Sequence, residues 1–178
     1  MAETPTLTTQ RLALVPFTDE HLTERYVGWL NDPKVVRYSE QRHRRHTIET
    51  CRQWAAGFDD GPSQLWAIME SAHGLGHIGN INTDVDKPNR TADIAILIGG
   101  KQSWGQGYGA EAWIAVVEYL LGPGGMRKVT AGTMADNVAM VAIMRQSGMT
   151  EEGRRRRQFL FEGREVDAIL AARFADDG

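Results

Sequence analysis

Three glycines at alternate positions, Gly105, Gly107 and Gly109, stand directly before apolar residues at helical spacing, Trp113, Val116, Val117, Leu120 and Leu121. Residues 93–98 ahead of them read as a buried strand, so the local order is strand, glycine turn, helix. Glycine allows backbone conformations that other residues resist and lets a ligand approach the main chain closely. The first amides of a helix lack internal acceptors and the helix dipole favours negative charge there, so a phosphate is a natural occupant. Residues 103–112 therefore read as an anion cradle, with a plain tight turn as the alternative.

A nucleoside-triphosphate loop needs Lys followed by Ser or Thr at its end, and Gly109-Ala110-Glu111 offers neither. Gly105, Gly107 and Ala110 match a dinucleotide fingerprint on letters alone. That fingerprint wants an acidic residue about twenty positions on, where Val129 and Thr130 stand instead.

Elements must hold this stretch in place, and the chain supplies them in order. Leu12, Leu14 and Phe17 suggest a first strand, Asp19 a helix N-cap leading to Leu30, and residues 40–46 an exposed basic loop. Thr47 opens a second helix to about Phe58. Residues 65–69, 76–85 and 91–98 alternate as three strands of an antiparallel meander. After the glycine helix come a strand over 128–134, a helix over 137–146, and a hairpin of 153–160 with 165–174 turned at Glu162-Gly163. The expected fold class is α/β (α+β), a mixed, mainly antiparallel sheet of six to seven strands flanked by about four helices, in one domain over 1–178.

At 178 residues, with 42% hydrophobic and 24% charged residues, the chain has globular composition and room for one core. A net charge of -3 argues against a surface built for nucleic acid or anionic membrane. Cys51 is the single cysteine, which excludes an intramolecular disulfide and a cysteine-based metal site. No apolar run reaches the length of a membrane span, and residues 1–10 lack the blocks of an export signal. A cytoplasmic protein, monomer or homodimer, without metal, membrane or nucleic-acid partners, is the expectation.

The residues together resemble the GNAT superfamily of acetyl-CoA-dependent N-acetyltransferases. Its signature is Gln or Arg, two residues, Gly, one residue, Gly or Ala; Trp104, Gly107 and Gly109 stand at those positions, and a Trp there is familiar in the branch of ribosomal-protein N-terminal and amino-sugar acetyltransferases. The resemblance extends over Thr9-Gln10-Arg11-Leu12, Trp29-Leu30-Asn31-Asp32-Pro33, Ile78-Gly79-Asn80-Ile81, Ala92-Asp93-Ile94-Ala95, and Asn137 with Gly148-Met149. It implies acetyl-CoA as cosubstrate. Backbone groups near Leu97 and Ile98 would hold the pantetheine, and Trp104, Gly105, Gln106, Gly107, Tyr108, Gly109 and Ala110 the pyrophosphate, with Asn137 and Met144 beside the coenzyme. In this branch a Ser or Tyr on the second late helix is credited with protonating the sulfur, but those positions hold Met140 and Met144, so that role is vacant or filled from elsewhere.

Acetyl transfer needs a neutral amine. At pH 7, neutralising a lysine amine costs roughly 4.6 kcal/mol, and an α-amino group about 1 to 1.4 kcal/mol. Asp93 aligns with a strand acid common in the branch, and Asn80 and Asn82 share a strand face from which they could orient water; Asp93 and Asn80 are the catalytic candidates. His77 alternates onto the opposite face as a structural histidine. Tyr38, Glu40 and Arg42 are the acceptor-binding candidates, and Arg154 to Arg157 read as solvated surface. The expected acceptor is a small-molecule amine, first a nucleotide-linked amino sugar. A protein N-terminal acetyltransferase or a non-catalytic acyl-CoA-binding module are the alternatives.

Overall fold

The computed structural model describes residues 4–176. Residues 1–3 of the stretch read as free of an export signal, and 177–178 of the proposed domain, lie outside the described residues. The elements are β1 (Leu7–Thr8), β2 (Leu12–Pro16), α1 (Glu24–Leu30), α2 (Ile48–Ala56), β3 (Leu65–Glu70), β4 (Gly76–Asp86), β5 (Thr91–Ile98), α3 (Tyr108–Leu121), β6 (Lys128–Met134), α4 (Val138–Gln146), β7 (Thr150–Phe161) and β8 (Arg164–Phe174). The strands form one eight-stranded sheet in the order β1-β2-β3-β4-β5-β6-β8-β7, in which only β5 and β6 run parallel. The sheet class matches the expectation; the added strand is the short β1, paired to β2 through Leu7 and Thr8.

The meander, the glycine-led helix, the late strand and helix, and the closing hairpin all stand where the patterning places them. Residues 19–30 differ. Asp19–His21 form a separate 3-10 turn, closed by Thr18, whose amide and hydroxyl meet His21 Nδ1 at 3.0 and 3.1 Å. The helix proper starts only after Thr23, whose hydroxyl accepts from the Tyr26 amide.

The main core lies between the sheet and α3 with α4. Trp66 and Trp113 are almost completely enclosed there, a burial of roughly 5 kcal/mol each by area. Their indole N–H groups donate to the Pro5 carbonyl (2.7 Å) and the Ser147 hydroxyl (3.1 Å), so neither ring buries an unpaired donor. A second cluster, including Tyr26, Val27, Trp29, Val36 and Cys51, packs α1 and α2 on the opposite face.

A β-bulge decides which side chains look toward α1. Ile68 of β3 pairs with Gly79 and Met69 with His77, so Ile78 is the extra residue. The Ile78 carbonyl instead accepts from the amides of Gly99 and Gly100 (3.0 and 3.1 Å). Ile78 and Ile81 both enter the main core. His77 consequently shares its face with Asn80 and Asn82, which corrects the simple alternation expected for it. It packs among Phe17, His21, Tyr26 and Trp29 at centroid separations of 5.1 to 6.1 Å.

Trp29 also rests on the chain just beyond β5. A Cβ at Gly99 would lie 2.0 Å from Trp29 Cδ2. The Gly99→Ala protein should therefore lose about 1–3 kcal/mol of stability by overpacking, read as a lower urea midpoint at unchanged slope; a midpoint equal to wild type would refute the contact as a constraint.

Candidate active site

The parallel pairing of β5 with β6 covers only Thr91 to Asp93 against Lys128 to Thr130. Beyond it the strands part, and the last residues of β5 keep β4 as their hydrogen-bonded partner. Trp104 closes the strand end by donating its indole N–H to the Ile98 carbonyl at 2.9 Å. The chain then turns through Gly105 (φ 72°) and Gly107 (φ 81°), and Gly107 is the left-handed N-cap of α3. Among the described residues no group accepts from the amides of residues 105–110. These free amides, with the helix dipole behind them, fit a pyrophosphate.

The cradle is braced from behind. Glu111 accepts from the Thr9 hydroxyl (2.6 Å), the Arg11 amide (2.9 Å) and Arg11 Nε (2.7 Å), while Arg11 Nη1 donates to the Gln106 carbonyl (2.9 Å). Burial alone pushes the Glu111 carboxyl up, but those hydrogen bonds outweigh it and hold the group below its ordinary range. The opening Thr-Gln-Arg segment is thus a strut for the loop. Tyr108 turns inward, 2% exposed, and its hydroxyl meets His73 Nδ1 at 3.1 Å beside the enclosed Glu70. Burial works against the charged form of Glu70, yet the amides of Leu75 and His73 and the His73 ring hold its carboxyl below the usual range. Tyr108 therefore contributes its backbone to the cradle and its ring to the core.

Asn137 caps α4, accepting from the Met140 amide at 3.3 Å, and donates to the Thr133 hydroxyl at 3.2 Å. Met144 lies in the main core, 2% exposed, with Met140 packed at its border.

On the α1 face a cavity of about 330 Å³ opens between β4, β5 and the chain from α1 to α2. Its floor includes Asn80, Asn82, Ala95 and Leu97, and its walls Tyr26, Arg44, Arg45, His46, Cys51 and Trp54. A second hollow of about 410 Å³ adjoins it, lined by Leu30, Asn31, Pro33, Val36 and Arg42, and by the same Arg44 and Arg45. The loop carrying these residues is pinned by Asn31 at the end of α1, whose side chain bonds both the amide and the carbonyl of His46 at 2.9 Å. Asp32 pairs with Lys101, which ties the same helix end to the turn after β5.

Of the candidates from sequence, Asn80 lies in the cavity floor, 5% exposed, and its Oδ1 has no partner. Arg42 lines the second hollow and is ion-paired to Glu40 at 2.7 Å. Tyr38 lies against Phe161 of β7, at 5.3 Å between rings, and lines neither hollow. Asp93 is also outside both. It faces Asp84 across β4 and accepts from the Thr130 hydroxyl at 2.7 Å, and four residues of strand, roughly 13 Å, separate it from Leu97. Sequence reasoning reached Arg44, Arg45 and His46 only as members of the basic loop from Arg42 to His46, read as able to meet the acceptor, and it passed over Trp54.

A glycine cradle and a cavity close to the end of one strand suit an enzyme that brings two substrates together. A model of the family described as "Acetyltransferase (GNAT) domain" matches residues 11–150, and the chain belongs to that family. It is an acetyl-CoA-dependent acyltransferase. Solved structures with the same fold include RimL, a ribosomal alpha-N-protein acetyltransferase in complex with coenzyme A, at 18% identity and TM-score 0.84 over 98% of this chain and 100% of that one. The spermidine N-acetyltransferase from Vibrio cholerae with CoA and spermine has 16% identity and TM-score 0.82, over 94% and 98%. MccE, a microcin self-immunity acetyltransferase with acetyl-CoA and AMP, has 16% identity and TM-score 0.77, over 93% of each chain. No helix among the described residues is long and apolar enough to cross a membrane.

His77 makes the α1 face acid-sensitive. Burial, then the neighbouring His21, push its imidazole down from 6.5 to about 4, while its ring N–H stays on the Gly79 carbonyl (2.9 Å). Between those values the unfolded chain takes up a proton that the folded one refuses, so stability falls as pH drops through that window, by up to roughly 3 kcal/mol. Urea midpoints measured from pH 7 to 4.5 should decline in the wild type and decline less in His77→Phe; parallel curves would refute the assignment.

Proposed function

We propose that this chain, as one domain over 1–178, moves the acetyl group of acetyl-CoA to a primary amine on an anionic small molecule, with a nucleotide-linked amino sugar as the first acceptor class. The observation that carries the acceptor class is the pair Arg44 and Arg45. They line both hollows, and neither guanidinium has an ion-pair or hydrogen-bond partner among the described residues. Two free guanidiniums suit phosphate. Among the described residues no Asp or Glu lines either hollow, which disfavours a polyamine. Trp54, 41% exposed at the cavity wall, offers a face on which a nucleobase could stack, worth roughly 1–3 kcal/mol. A structure of this fold holding acetyl-CoA and AMP together is consistent with that class.

On the donor side, the amides of residues 105–110 would hold the pyrophosphate and the open edge of β5 near Leu97 and Ile98 the pantetheine, with the Asn137 side chain occupied as a cap. When bound, the coenzyme supplies an activated thioester. The chain's part is to orient it, to present the amine from the cavity, and to keep that amine neutral.

Three outcomes test this. Gly107→Val, which forces a branched side chain into the left-handed region at a cost of about 1–2 kcal/mol, should weaken acetyl-CoA binding about tenfold or more by calorimetry; unchanged affinity would refute the cradle. Thiol release on sugar-nucleotide, peptide and polyamine amines should favour the first. Arg44→Ala with Arg45→Ala should raise KM for that acceptor at least tenfold at constant acetyl-CoA affinity. Binding of acetyl-CoA without turnover of any amine would instead indicate a non-catalytic module.

A further inference from the structure

The guanidinium of Arg11 does more than a brace requires. The turn before β2 is already tied to α3 by the Thr9 hydroxyl and the Arg11 amide, which both donate to Glu111 Oε1, at 2.6 and 2.9 Å. Those two contacts do not involve the side chain at position 11. That side chain is held separately. Its Nε and Nη2 both lie 2.7 Å from Glu111 Oε2, and its Cζ stands 4.5 Å from the centre of the Tyr108 ring. The ring is 2% exposed and its hydroxyl is engaged by His73 Nδ1 and Glu70, so the surface under the guanidinium is fixed. Nη1 is left to the Gln106 carbonyl, 2.9 Å away.

That last contact sets a direction. A peptide unit is planar, and in the trans form its C=O and N–H point to opposite sides. The peptide joining Gln106 to Gly107 is trans, so with the carbonyl turned to Arg11 the Gly107 N–H is turned the other way, and no described group accepts from it. A Cβ at Gly107 would lie 3.5 Å from Arg11 Nη2, which puts the cation directly against this residue. Glycines at 105 and 107 leave the loop free to rotate when nothing grips it, and ordering it on binding would count against affinity. The ion pair has a second effect. Glu111 stands in the first turn of α3, where its charge would oppose a phosphate at the same helix end, and the Arg11 cation offsets it.

We propose that Arg11 is the positioning residue of the coenzyme cradle: by gripping the Gln106 carbonyl it aims the Gly107 N–H at the pyrophosphate before the coenzyme arrives. This rests on the reading of residues 105–110 as that cradle. Arg11 acts through the backbone of Gln106, so its effect falls on the phosphate-bearing part of the donor and on no other part of either substrate.

Arg11→Lys separates aim from charge. Lysine keeps the cation and can reach Glu111, but a single ammonium lacks the fork that holds carboxylate and carbonyl together. In NMR titrations of the ¹⁵N-enriched chain, coenzyme A affinity should fall about tenfold in this variant, as expected for one lost hydrogen bond to a charged group. Affinity for pantetheine, which carries no phosphate, should stay as in the wild type. Equal losses on the two ligands would make the guanidinium a plain brace, and an unchanged coenzyme A affinity would leave it without a role. Either result overturns the inference and leaves the acetyltransferase reading intact. A second measurement needs no variant: in the unaltered protein the Gly107 amide signal should move with coenzyme A and stay in place with pantetheine. A signal that ignores coenzyme A, or answers equally to pantetheine, overturns the assignment. If the unaltered protein does not bind coenzyme A at all, the inference and the acetyltransferase reading fall together.

Discussion

Everything at the site depends on the early separation of β5 from β6. A strand that loses its neighbour partway exposes polar backbone, and such groups must be satisfied or left for a ligand. Here the end of β5 is closed locally by the Trp104 indole, which takes the Ile98 carbonyl, while on the β4 side Gly99 and Gly100 take the Ile78 carbonyl at the bulge. The stretch between, lined on one side by Ala95 and Leu97, remains a free edge of the kind that an extended chain can pair with. The cavity lies against the last residues of β5, and the cradle follows them in the chain.

Holding such a gap open takes bracing on both faces. Behind the cradle, Arg11 joins Glu111 to the Gln106 carbonyl, and its guanidinium lies 4.5 Å from the Tyr108 ring, under which Glu70 is enclosed. On the other face Trp29 presses on Gly99 and Asp32 reaches Lys101. The two sets share no side chain. The cradle and the cavity are therefore positioned separately, although both are anchored to β5 and the turn that follows it.

Legibility followed locality. The glycine cradle was readable because its chemistry is carried by neighbours in the chain, and the sheet because its alternation is strong. The side of His77 was not, since a single extra residue at Ile78 reverses the alternation and leaves no mark in composition. The start of α1 was misplaced because Asp19, Thr18 and Thr23 all have cap chemistry, and only Thr18's engagement with His21 decides among them. The acceptor cavity was legible as a basic loop and no further. Its walls come from α1, α2, β4 and β5, and the contact that assembles it joins Asn31 to a main chain fifteen residues away.

That contact has an evolutionary consequence. Because Asn31 grips the backbone of His46 and not its side chain, the loop from 39 to 46 keeps its course whatever side chains it displays. Side chains at 44 and 45, which have no hydrogen-bond or ion-pair partner among the described residues, can be exchanged with little effect on folding or on the glycine cradle. Under the proposed function, a lineage built on this scaffold could change the amine it modifies through point mutations in this loop without redrawing its backbone.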